Sequence, residues 1–119
     1  MNWYLAKIVY QITCGEDRHT AQFDEQLRLI SADKKEEALL KAQLLGSRGE
    51  EMFFNNNRQV VYWQFVNVSE LYKLSELIDG AELYSRIEEK ENAAAYIDII
   101  HKKAAGIVSS DTPEILQLV

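Results

Sequence analysis

The stretch Trp3-Tyr4-Leu5-Ala6-Lys7-Ile8-Val9-Tyr10-Gln11-Ile12-Thr13-Cys14 decides the fold, because all its even-numbered residues are apolar. Side chains two residues apart point to the same face of a β-strand. One face of this stretch therefore carries Tyr4, Ala6, Ile8, Tyr10, Ile12 and Cys14. The opposite face mixes Trp3, Leu5 and Val9 with polar residues. The pattern predicts a strand with one core face and one face of mixed character.

A second alternating run follows a turn over residues 15–19 and predicts the other half of an antiparallel hairpin. Its apolar side contains Ala21, Phe23, Leu27 and Leu29, and its polar side contains Gln22, Asp24, Gln26 and Arg28. Glu25 falls among the apolar side chains. A carboxylate at this position predicts a bulge, an edge strand or a partner Arg or Lys, so Glu25 is a polar candidate for function.

Helical spacing of apolar residues occurs in two segments. The first helix is predicted to begin at the capping residue Asp33, with Glu36 as its capping-box carboxylate, and to end at Gly46 or Gly49. The second helix is predicted from Asn92 to Gly106. Its apolar stripe contains Ala93, Tyr96, Ile97, Ile100 and Ala104.

The strongest strand pattern lies between the two helices. Asn55-Asn56-Asn57 predicts a turn, and residues 58–69 after it carry large side chains on both faces. One face has Val60, Tyr62, Val66 and Val68, and the other has Val61, Trp63 and Phe65. Such a strand is either central and covered twice, or covered once by the protein's own helices and once by a partner.

A fourth strand is predicted over residues 81–87, after the turn dipeptide Asp79-Gly80. The elements then follow the order ββα-ββα and predict an α+β fold, in which a four-stranded, mainly antiparallel sheet carries two long helices on one face. We expect residues 1–106 to form a single α+β domain and residues 107–119 to form a tail or a short C-terminal helix. A chain of 119 residues can bury enough surface to fold without disulfides or metal.

Charge and cysteine content narrow the class of protein. The net charge of −6 argues against binding of nucleic acid, because such binding depends on clustered Lys and Arg. The N-terminus does not resemble a secretion signal, and no run of about 18 apolar residues predicts a membrane span. Cys14 is the single cysteine and has no partner for an internal disulfide, which favours a reducing cytoplasm.

No motif for phosphate, nucleotide or hydrolytic chemistry is present in the sequence. Cys14 and His19 flank the first predicted turn, and both residue types bind metals. A structural zinc site needs four ligands, however, and the chain contains one Cys and two His. We therefore predict no catalytic residue, no cofactor and no metal, and retain His19 only as a polar candidate.

Four segments of the chain resemble one known family. These segments are residues 1–7, 23–30, 63–71 and 79–86. Together they resemble the domain-of-unknown-function family numbered 4288, a family of small bacterial domains, over most of the chain up to the second long helix. The resemblance implies a compact bacterial domain and carries over no activity and no site residue.

The aromatic residues on the strands supply the leading functional hypothesis. Aromatic side chains are enriched at binding interfaces, because they bury a large area at low entropic cost. We expect a non-enzymatic module that uses an apolar sheet face or edge to form a homodimer or to hold a protein partner. The interface candidates are Trp3, Leu5, Tyr62, Trp63, Phe65 and Tyr84.

Two alternative hypotheses stay open at this point. In the first, the protein binds or transforms a small molecule in a pocket between sheet and helices, with Glu25, Tyr10 or Tyr84 as polar groups. In the second, an acidic protein neutralises a basic partner, which follows from the net charge alone.

Overall fold

The computed structural model of the protein describes residues 1–15 and 21–109. Its elements are β1 (Asn2–Cys14), β2 (Gln22–Ala32), α1 (Lys35–Arg48), β3 (Glu51–Phe54), β4 (Val60–Leu74) and α2 (Ala93–Ser109). The chain divides into two compact units, Met1–Ser85 and Arg86–Val119. The fold is α+β, as the sequence predicts, whereas the proposed short C-terminal helix falls outside the described residues.

The first unit contains a four-stranded antiparallel sheet with the strand order β2-β1-β4-β3. The predicted hairpin of the first two strands is confirmed, with Tyr4 opposite Ile30 and Val9 opposite Glu25. On its other side β1 pairs with β4 along nearly its whole length. The two long central strands are therefore β1 and β4, and the sheet edges are β2 and β3.

Helix α1 packs on the face of the sheet that contains the even-numbered residues of β1. Tyr4, Ala6, Ile30 and Ala32 form the core there with Ala38 and Ala42 of the helix. The Tyr10 hydroxyl donates a buried hydrogen bond of 2.7 Å to the Gly46 carbonyl near the end of α1. The predicted core face of the first strand is thus confirmed.

Two strand predictions change in the structure. Residues 81–87 do not form a strand, and the segment 75–92 contains no helix or strand at all. The physical reason is that this segment contacts the sheet through side-chain packing instead of strand pairing, with the Tyr84 ring edge-to-face on Tyr72 of β4. The fourth strand is instead β3, which precedes β4 and joins it in a hairpin through the predicted turn at Asn55.

Strand β4 is longer and less regular than the sequence predicts. It runs to Leu74, and two shifts of its register against β1 leave Val66 and Ser69 without an opposite residue. Each extra residue reverses the alternation of faces beyond it. Val68 consequently packs against the core under α1 instead of sharing a face with Tyr62.

The two helix starts differ in how well the sequence predicts them. Asp33 does not cap α1, because the helix begins two residues later, after Lys34. The carboxylate that reaches back is accordingly Glu37, which accepts a hydrogen bond of 3.3 Å from the Asp33 amide. Asn92 does cap α2, since its side-chain oxygen accepts a hydrogen bond of 3.0 Å from the Ala95 amide.

Candidate binding surface

The face of the sheet opposite α1 is the candidate functional surface, and we call it the open face. The cross-strand register places on it Trp3, Leu5, Lys7 and Val9 of β1, Phe23, Glu25, Leu27 and Leu29 of β2, Met52 and Phe54 of β3, and Tyr62, Glu70, Tyr72 and Leu74 of β4. Directly opposite residues of an antiparallel pair point to the same side, which makes this assignment independent of side-chain detail. The open face thus extends across all four strands.

Strand β2 presents its apolar row to the open face. Phe23, Leu27 and Leu29 are 56%, 51% and 49% exposed. An edge strand with one buried face normally turns its apolar row inward. Here the register with β1 is fixed by the buried Ile30 and Ala32, which lie on the side of α1. The apolar row of β2 is therefore left in contact with solvent.

The polar row of β2 lies on the side of α1 and forms a continuous chain of hydrogen bonds. Arg28 donates to the Gln26 side-chain oxygen at 3.1 Å, and the Gln26 amide donates to the Asp24 carboxylate at 2.7 Å. The same carboxylate oxygen accepts a bond of 3.1 Å from the Trp63 indole. These bonds satisfy half-buried polar groups and hold β2 in the orientation that exposes its apolar row.

A charged pair lies at the centre of the open face. The Lys7 ammonium is 2.7 Å from one Glu70 oxygen, and the Tyr72 hydroxyl donates to the other oxygen. The hydrogen bond to Glu70 raises the pKa of Lys7, and the charge of Glu25 acts in the same direction. The hydrogen bond to Glu70 also raises the pKa of Tyr72. Lys7 therefore stays charged and Tyr72 neutral well into the alkaline range.

One corner of the open face is closed by the chain itself. Leu5 and Leu74 are buried at 7% and 6% exposure. Tyr84, from the segment after β4, packs edge-to-face on Tyr72 with ring centroids 5.5 Å apart. The Lys7–Glu70 pair at the centre is half-buried. Toward the β3 edge the face is exposed, including Tyr62 on β4 and both Met52 and Phe54 on β3.

The six predicted interface residues divide between the two faces. Trp3, Leu5 and Tyr62 lie on the open face, and Tyr84 packs on Tyr72 at its closed corner. Phe65 lies on the opposite face beside Gly46 of α1, and Trp63 on that same face bonds Asp24 and stacks on Phe53. Their part in an interface stays a prediction. The apolar row of β2 was absent from that set, although its alternation around Glu25 is visible in the sequence.

Two of the polar candidates, Glu25 and Tyr10, lie on opposite faces of the sheet. Glu25 is exposed on the open face, opposite Val9. Tyr10 is buried under α1, where burial raises the pKa of its hydroxyl. Two shallow surface depressions are lined by residues 77–83 and by residues between Arg86 and Ile97, and neither includes Glu25, Tyr10 or Tyr84. His19 lies outside the described residues.

Cys14 lies at the end of β1 in a small polar contact group. Its thiol is 3.5 Å from the Gln59 side-chain oxygen and accepts a hydrogen bond of 3.3 Å from the Asn55 amide. Within residues 1–15 and 21–109, no group of three or more Cys, His, Asp or Glu side chains could hold a metal ion. The contacts of Cys14 therefore join the β3–β4 turn to β1.

The first unit coincides with a known family. A family model described as Domain of unknown function (DUF4288) matches residues 3–85, more than two thirds of the chain. The chain belongs to this family. The DUF4288 match ends where the first compact unit ends, so the sheet, α1 and Tyr84 are all part of it and α2 is not. Comparisons with curated proteins and with solved structures found no match.

No helix of the described residues is both long enough and apolar enough to cross a membrane.

Proposed function

We propose that this protein is a non-enzymatic binding module whose open face holds a polypeptide, either another protein or a second copy. The observation that carries this proposal is the orientation of β2, which turns Phe23, Leu27 and Leu29 toward solvent. A monomeric protein seldom leaves several large apolar side chains of one strand face uncovered, because their burial would stabilise the fold by roughly 25 cal/mol per Å².

The layout of the open face supports a protein ligand more than a small molecule. Its exposed apolar and aromatic side chains are spread over several strands, whereas small molecules occupy concave pockets. The charged pair Lys7–Glu70 at the centre is already satisfied internally, so it can be buried on binding without leaving either of its charges unpaired. Aromatic and aliphatic side chains around satisfied polar groups are typical of a protein interface.

Photo-crosslinking tests this proposal in cells that produce the full chain. A benzophenone side chain in place of Leu27 is expected to give a discrete protein adduct, because Leu27 lies in the middle of the exposed row. The matched control carries the same side chain in place of Leu40, which is 58% exposed on α1. Leu29→Lys is expected to reduce the adduct at position 27. Equal adducts at both positions, or none at position 27, would overturn the proposal.

The cellular setting belongs to the same proposal. We propose a bacterial protein, as the resemblance to a family of small bacterial domains implies. We propose that it acts in the cytoplasm, on the basis of the free thiol of Cys14, which is half-exposed in the structure. A half-exposed thiol with no disulfide partner in its chain is suited to a reducing compartment.

A further inference from the structure

Helix α2 in the second unit presents an apolar stripe that is exposed along its whole length. Tyr96, Ile97, Ile100 and Ile107 are between 41% and 66% exposed. Isolated helices of about 15 residues are only marginally stable in water, and helices in proteins are stabilised mainly by packing of their apolar stripe. The stripe on α2 therefore requires a partner surface.

The spacing of the stripe is symmetric about Ile100. Ala93 and Ile107 stand at equal distances before and after Ile100, and so do Tyr96 and Ala104. When two identical helices pack antiparallel about a twofold axis at Ile100, residues equidistant from it face each other. Ala93 then faces Ile107 and Tyr96 faces Ala104, while Ile100 meets its own copy.

This pairing sets a small side chain against a large one at the Ala93–Ile107 and Tyr96–Ala104 layers, and it sets Ile97 against Lys103. Alternation of small and large residues across facing positions fills a helix–helix interface without voids or overlap. In a parallel pair the same stripe would set Ala93 against Ala93 and Tyr96 against Tyr96. The sequence of α2 thus complements itself in the antiparallel orientation.

The charges of the second unit favour the same orientation. Glu88 forms ion pairs with Arg86 and Lys90, and a parallel pair would bring the two other acidic residues before α2, Glu89 and Glu91, together with their copies. An antiparallel pair separates them by the length of the helix, about 25 Å for 17 residues, and opposes the two helix dipoles. We propose that α2 is a self-association surface that pairs with α2 of a second copy in antiparallel orientation about Ile100.

The interface expected for this pair is small. Two helices of this length bury on the order of 1,000 Å² in total, which is near the lower limit for a specific interface. We therefore expect a dimer whose population depends on protein concentration. This proposal uses the second unit alone and does not depend on the open face.

Sedimentation of the full chain over a range of concentrations tests the proposal. The wild-type chain is expected to shift from monomer to dimer as concentration rises. Ile100→Lys places two ammonium groups on the axis and is expected to weaken the dimer about tenfold or more. Ile99→Lys is the matched control, because Ile99 is 49% exposed but lies off the stripe, and it is expected to leave the dimer intact. Circular dichroism checks that α2 remains helical in both variants.

Disulfide trapping tests the orientation, with Cys14 changed to Ser in every chain. Mixing Ala93→Cys and Ile107→Cys chains is expected to give a crosslinked heteropair, whereas Ala93→Cys alone is expected to give none. Self-crosslinking at position 93 indicates a parallel pair and overturns the proposal, as does a strictly monomeric wild-type chain. If Leu27→Lys dissolves the dimer and Ile100→Lys does not, self-association uses the open face instead, so the two proposals fail separately.

Discussion

At the scale of single residues, Gly46 determines how closely α1 approaches the sheet. A Cβ atom at this position would lie 2.3 Å from Cε1 of Phe65 and 2.6 Å from its Cδ1. The Phe65 ring is held in turn by an edge-to-face contact with Tyr10, whose hydroxyl bonds the Gly46 carbonyl. Three residues from three elements are therefore interlocked at the end of the helix.

We predict that Gly46→Ala destabilises the protein. Overpacking against a fixed ring costs about 1–3 kcal/mol, which exceeds the gain of about 1 kcal/mol from replacing a helical glycine. Chemical denaturation measures the difference in unfolding free energy. The control is Gly106→Ala in α2, where the added Cβ meets no atom within 4 Å and no loss of stability is expected. Equal effects of the two substitutions would contradict the packing described for Gly46.

At the scale of elements, the Lys7–Glu70 ion pair joins β1 to β4 on the open face. This pair predicts that the stability of the fold depends on pH. The pKa of Lys7 is raised by its hydrogen bond to Glu70, above the ordinary value of 10.5. A group whose pKa is higher in the folded state stabilises the fold fully below its unfolded pKa, and this contribution is lost as the pH rises through the folded value. The ion pair thus contributes at neutral pH and is lost in strong alkali.

The expected result is that Lys7→Met is less stable than the wild-type chain at about pH 8, and that the difference shrinks at about pH 11. Tyr10 titrates in both proteins, so its alkaline effect cancels in the difference. The Tyr72 hydroxyl bonds the same Glu70, and the charge of Lys7 acts on the pKa of Tyr72, so the comparison is made in chains that also carry Tyr72→Phe. Urea denaturation at the two pH values measures it. A difference that stays constant across this range would show that the pair does not carry the pH dependence.

Sequence periodicity predicts β1, β2 and the two helices, because each of these elements has a regular period and a capping or turn signal. It is less informative for β4. The bulges at Val66 and Ser69 break the alternation, and nothing in the local sequence marks them. The strand β3 is only four residues long, which is too short for a periodic signal, although a turn at Asn55 between two apolar runs indicates a hairpin.

The apolar row of β2 shows why the candidate surface is harder to predict than the fold. Alternation identifies Phe23, Leu27 and Leu29 as one row, but it cannot decide which side of the sheet α1 covers. That choice depends on Ile30 and Ala32, which pack with Ala38 and Ala42 through tertiary contacts. The placement of both helices on one face of the sheet stays a prediction.

At the scale of the whole molecule, the chain has two compact units, and we propose a separate role for each. The first unit, which carries the DUF4288 match, contains the sheet and the open face that we propose for a polypeptide partner. The second unit contains α2 and the self-complementary stripe. A chain organised in this way can hold two partner molecules close together, because each copy in the dimer brings its own open face.

The central claim is that the chain itself leaves the apolar row of β2 uncovered, and urea denaturation of Leu27→Thr at low protein concentration tests it most directly. Threonine avoids a second cation opposite Lys7, which is the cross-strand neighbour of Leu27. At a solvent-exposed site such a substitution changes the unfolding free energy by no more than about 0.5 kcal/mol. The comparison variant is Ile8→Ala on the opposite face, where Ile8 is 0% exposed and the expected loss is about 2–5 kcal/mol. We predict a near-neutral Leu27→Thr beside a strongly destabilised Ile8→Ala. A loss in Leu27→Thr as large as that in Ile8→Ala would show that Leu27 is buried by the chain, and it would contradict this claim.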